Sequence, residues 1–316
     1  MTEPDISFVE EQTDAESLVN NRIRRGAWII AGVLVVFLLG LGSSYLKWGY
    51  DQRSKLDVAA LQAQINPREG YALSISYGDL GPRLIQGGVF DYEAFAAIYE
   101  NSGDPLSAEQ TEILKKGSDR EIVINAQNAH FLLNFFWAVG LANKNPILTE
   151  GPIVQRSRGQ VERFASTGGW SLAAQPVTEL YASMNLIPLT AKQQKLVEEV
   201  AGAVYRPCCD NPTLFPDCNH GMAMLGILEL MASKGASADE MFEAAKYVNA
   251  YWFPGQTLET AMYLQILEST DFVSADPRLV VSDRFSSGSG AARVHKKLQD
   301  KGVLPHTSGQ GSSCAN

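Results

Sequence analysis

The chain has 316 residues, a formal charge of −9 and a sequence pI near 5.0. Its length fits one large domain or two modest ones, and a hydrophobic content of 45% is enough for a real core. The charge argues against a nucleic-acid partner, because phosphate binding needs a basic face and the sequence offers none.

Residues 1–25 begin with a stretch carrying Glu3, Asp5, Glu10, Glu11, Asp14 and Glu16 among few large apolar side chains. Such a composition buries too little surface to offset chain entropy, and it predicts a disordered acidic tail. Residues 26–46 (GAWIIAGVLVVFLLGLGSSYL) contain no charged side chain. A helix of roughly 20 such residues crosses a hydrocarbon core, and it satisfies its own backbone there. Trp28 at one end and Tyr45, Trp48 and Tyr50 at the other match aromatic anchors at the two interfaces.

Arg22, Arg24 and Arg25 precede the run, while Lys47, Arg53 and Lys55 follow it. The positive-inside rule then predicts a single-pass protein of the cell membrane, with a cytoplasmic N-terminus and an exported C-terminal domain. No good cleavage site follows the run, so it reads as an uncleaved signal anchor. The lipid bilayer is thus one expected partner, through residues 26–46, and other subunits of a membrane complex are a second.

Residues 47–285 read as an exported all-α domain. A helix is expected over 54–64, before Asn66-Pro67. Ser107–Gln110, Thr190–Gln193 and Ser237–Glu240 are each capping boxes, in which a hydroxyl accepts an amide and the third residue reaches back. Helix-spaced apolar residues follow each of them. Residues 125–141 (NAQNAHFLLNFFWAVGL) are too few and too interrupted to span a bilayer, so they read as a buried central helix. His130, within that run, is expected to be a hydrogen-bonded core residue. Residues 286–316 turn small and polar and read as a flexible tail, with a short basic helix possible over 291–300.

The chemistry concentrates in 207–224 (PCCDNPTLFPDCNHGMAM), which holds three of the four cysteines and one of the four histidines. The spacing is CC-x8-C-x-H. Soft thiolates and an imidazole this close suggest a metal site, with copper(I) or zinc the natural ions. The candidate ligands are Cys208, Cys209, Cys218, His220, Met224 and Cys314. If Asp217 or Asn219 caps a helix running to Met231, His220 and Met224 lie one turn apart on one face. Cys218 would then sit in the first turn, where the helix dipole favours a thiolate.

Two other readings stay open. In an oxidising exterior, Cys209 could bridge Cys218, and Cys208 could pair with Cys314 or stay a free thiol, leaving a non-enzymatic subunit or sensor with a stapled loop. The vicinal pair could instead serve thiol–disulfide exchange. No G-x-S-x-G, H-E-x-x-H, P-loop or dinucleotide fingerprint occurs, so no catalytic residue is assigned. The segment YRPCCDNPTLFPDCNHGMAMLGILELMASKG, with NAHFLLNFFWAVGLANKNPIL upstream, resembles uncharacterised membrane-anchored prokaryotic proteins. That resemblance implies a prokaryotic source and brings no activity with it.

Overall fold

A computed structural model describes Trp28, Leu34, Val35, residues 37–41 and residues 56–305. The chain divides into two compact units: Met1–Leu56 with Lys301–Val303, and Asp57–Asp300 with Leu304–Asn316. In the first unit, the described residues between 28 and 41 are helical and their large side chains are exposed. Among the described residues no helix is long and apolar enough to cross a membrane. Most of the expected 26–46 span, the acidic stretch 1–25 and Cys314 lie outside the described residues.

The second unit is mostly helical. Helix α1 (Val58–Ile65) is followed by strand β1 (Tyr71–Gly78), then α2 (Leu80–Gln86), α3 (Tyr92–Asn101) and α4 (Ala108–Lys116). Strand β2 (Ser118–Ile124) precedes α5 (Ala129–Ala142) and a series of one-turn helices. The longer helices α6 (Ala191–Ala203), α7 (Asn219–Ser233), α8 (Ala238–Trp252), α9 (Pro254–Leu267) and α10 (Gly288–Asp300) complete the unit.

All three predicted capping boxes form. Ser107, Thr190 and Ser237 cap α4, α6 and α8, each with the reciprocal bond from Gln110, Gln193 or Glu240. The helix expected over 54–64 is α1, which ends at Asn66 as the following proline requires.

One element departs from an all-α reading. Strands β1 and β2 pair antiparallel, from Tyr71 opposite Ile124 to Gly78 opposite Ser118. Leu73, Ile75 and Tyr77 of β1 face the core while their neighbours face out. That period-two alternation is what a strand with one buried face requires.

Helices α5 and α7 form the centre. Residues 131, 132, 135, 136 and 138–142 of α5 are buried, as are all residues from Gly221 to Ala232 of α7. Two glycines let the backbones touch. A Cβ on Gly140 would stand 2.1 Å from the Met222 carbonyl oxygen, and one on Gly226 would stand 2.8 Å from that of Phe136. The crossing therefore tolerates no side chain at either position.

The helix allowed over 291–300 forms as α10 and begins earlier, at Gly288, so the domain boundary expected at 285 moves outward. Its Val294 and Leu298 are buried, so the folded unit continues to Asp300. Small polar residues at 286–290 do not make a linker here: they form the turn that starts the helix. Ser287 Oγ accepts from the Gly290 amide, and Asp210 Oδ1 accepts from the Ser289 amide at 2.7 Å.

Candidate metal centre

The loop between α6 and α7 is held at several points. The Tyr205 amide donates to Val281 O, Asn249 Nδ2 donates to Tyr205 O, and Tyr205 forms a bridge with Pro212. At its far end the loop enters α7 through Cys218, whose extended backbone (φ −121°, ψ 164°) and sulfur make it the N-cap. Its Sγ accepts from the Gly221 amide at 3.4 Å. The cap expected at Asp217 or Asn219 is thus the cysteine itself.

This arrangement gathers the sulfurs of Cys208, Cys209 and Cys218 within 4.8 Å of one another. The sulfurs of Cys208 and Cys218 are 3.5 Å apart. None of the three is bridged, including the Cys209–Cys218 pair that one reading of the spacing suggested. Three sulfurs about 2.3 Å from a shared ion stand roughly 3.8 Å apart in a tetrahedral site and roughly 4.0 Å apart in a trigonal one. The observed separations, none above 4.8 Å, bracket these spacings.

Arg206 is the residue that sequence reasoning missed. It is fully buried. Nη2 donates to Cys209 Sγ (3.2 Å), Cys218 Sγ (3.4 Å) and Asp217 Oδ1 (3.2 Å), while Nη1 donates to Asn211 O (2.9 Å). Its Nε has no partner. The guanidinium lies over the first turn of α7, where a Cβ on Gly221 would come within 2.6 Å of Nη2. An arginine two residues before a pair of adjacent cysteines was the available signal.

The electrostatics single out one thiolate. Hydrogen bonds from Cys208 and Cys209, joined by the Arg206 charge, hold Cys218 well below the usual thiol range against its burial. Hydrogen bonds with Cys209 and Cys218, and burial, push Cys208 up. For Cys209 the bond with Cys208 lowers the value, but the bond with Cys218 and burial outweigh it, and it is pushed up to about 11. Of the three sulfurs, Cys218 is thus the one whose thiolate form is favoured.

His220 does not join the sulfurs, and Cys314 lies outside the described residues. His220 packs its ring against Phe253 (4.5 Å between centroids) and Trp252 (5.6 Å). Burial, then Arg206, push it down to about 4, with Cys218 opposing, so it is neutral at ordinary pH. Among the described residues, only the three cysteines form a group of potential metal ligands. Met224 is fully buried within α7. His130 is exposed, contrary to the core position expected, although its Nε2 lies 3.2 Å from Asn134 Nδ2.

No protein-family model, no curated protein and no solved structure matches this chain.

Proposed function

We propose that this is a membrane-anchored, extracytoplasmic metal-binding protein whose Cys208, Cys209 and Cys218 hold one copper(I) or zinc ion. The observation that carries the reading is the convergence of three sulfurs within 4.8 Å. Adjacent cysteines rarely aim at one point, and here the turn after Pro207 and the N-cap position of Cys218 bring all three together. A buried arginine donating to two of the sulfurs supplies positive charge for a metal–thiolate group. The anchor is the uncharged run 26–46, with Arg22, Arg24 and Arg25 on its cytoplasmic side.

Metal analysis of the anaerobically purified full-length chain, paired with thiol titration, tests this. About one ion per chain with reactive thiols restored on chelation is expected. Absence of metal would defeat the reading.

The 3.5 Å approach of Cys208 and Cys218 favours a second reading, a disulfide-stapled loop in a non-enzymatic subunit or sensor. In that case the purified chain carries a Cys208–Cys218 bridge and no metal.

A further inference from the structure

We infer that the three-sulfur site is built for a three-coordinate, monovalent thiophilic ion, copper(I), and that Arg206 is the residue that sets this preference; the inference rests on the metal reading above.

Coordination number is the first argument. Structural zinc takes four ligands in a tetrahedron. Among the described residues the site offers three, all sulfur. Asp217, whose Oδ1 lies 3.7 Å from Cys209 Sγ, is already committed: Oδ1 accepts from Arg206 and Oδ2 accepts from Asn211 Nδ2 at 2.7 Å. The nearest imidazole, His220, is packed against two aromatic rings. Thiolate-rich sites of low coordination number suit copper(I).

Charge is the second. Arginine stays protonated in proteins, so Arg206 is a fixed cation, and it is fully buried. Gly221 leaves the space it fills, and Asn211 O ties its other end, so it cannot swing away without losing both. With Nη2 at 3.2 and 3.4 Å from two sulfurs, the guanidinium sits roughly 5 Å from any ion they share. At a given protonation of the sulfurs, it repels a divalent ion twice as strongly as a monovalent one. That difference amounts to roughly a hundredfold in relative affinity at an effective dielectric constant near 20. Arg206 therefore biases the site by its charge and also keeps Asp217 Oδ1 engaged.

The test is competition between copper(I) and zinc for the anaerobic full-length chain, with metal-edge X-ray absorption on the product. The expected result is one copper(I) per chain, ligated by three sulfurs and no nitrogen or oxygen. Arg206→Gln should move the copper-to-zinc preference toward zinc by about tenfold or more, and Arg206→Lys should hold it near the wild-type value. His220→Ala and Cys314→Ser should leave copper binding unchanged. A four-coordinate zinc complex, or copper binding lost with His220 or Cys314, would overturn the inference while leaving a metal-binding protein. Should the Arg206 variants fail to fold, the sulfur count in the wild-type chain decides. If neither ion binds, the metal reading itself falls.

Discussion

Arg206 lies across Gly221, so closely that a single methyl at position 221 would meet its guanidinium at 2.6 Å. A backbone position in one helix thus holds the cation that reaches two cysteines from different parts of the loop. Gly221→Ala should displace Arg206 while the fold survives, because the obstructed atoms belong to one side chain and not to backbone. We expect metal affinity to fall by about tenfold and Cys218 to lose part of its thiolate character. Chelator competition and the pH dependence of alkylation measure the two effects.

The centre of the fold should be far less forgiving. Gly140→Ala puts a methyl against the Met222 carbonyl of α7, which is backbone and cannot step aside. Destabilisation by about 1–3 kcal/mol is expected from overpacking of this kind. Thermal or denaturant unfolding reads it directly. The same change at Gly103, where nothing lies within 4 Å, meets no such contact and serves as a control for space, although its positive φ (79°) adds its own strain.

Glu229 gives the unit a pH dependence. It is fully buried in α7, its Oε2 accepts from Asn143 Nδ2 at 2.9 Å, and Oε1 has no partner. Burial pushes it up to about 8 from an ordinary value of 4.5, against the lowering effect of Asn143 and Asn145. The folded form therefore holds this proton more tightly than the unfolded chain. Its contribution to stability is fully present below about 4.5, declines as pH rises, and is lost above about 8. Glu229→Gln keeps an acceptor for Asn143 and removes the titration. Denaturation midpoints between pH 5 and 9 should slope downward in the wild type more than in the variant, by an amount on the order of a few kcal/mol over the range.

The cysteine loop also starts the last helix. Asp210 accepts from the Ser289 amide, and Gly288 donates to Cys209 O at 2.9 Å. Asp210→Ala removes a capping acceptor, with an expected cost of about 1 kcal/mol. Hydrogen exchange should quicken at 288–291 first. No change there would show that α10 is held by Val294 and Leu298 alone.

Much of this was legible in the sequence, and the exceptions share a physical cause. The capping boxes at Ser107, Thr190 and Ser237 are local, with every partner within three residues, and all three appear. The buried helix over 129–142 follows from hydrophobicity alone. The alternation of Leu73, Ile75 and Tyr77 was present as well, but a strand of eight residues among long helical patterns is a weak signal without its partner.

The site divides in the same way. Clustering of Cys208, Cys209 and Cys218 follows from their spacing. The exclusion of His220 does not, because it depends on Trp252 and Phe253, more than thirty residues further along. Arg206 was hidden for a similar reason. Its role comes from burial against Gly221, and burial of a charge is the last thing composition reveals.

The central claim is that three sulfurs act together on one ion. Alkylation mapping of the Cys314→Ser chain, with and without one equivalent of copper(I) under anaerobic conditions, tests it most directly. Cys208, Cys209 and Cys218 should be protected in parallel by a single ion and exposed in parallel by a chelator. Labelling that copper leaves unchanged, or a Cys208–Cys218 bridge in place of three thiols, would contradict it.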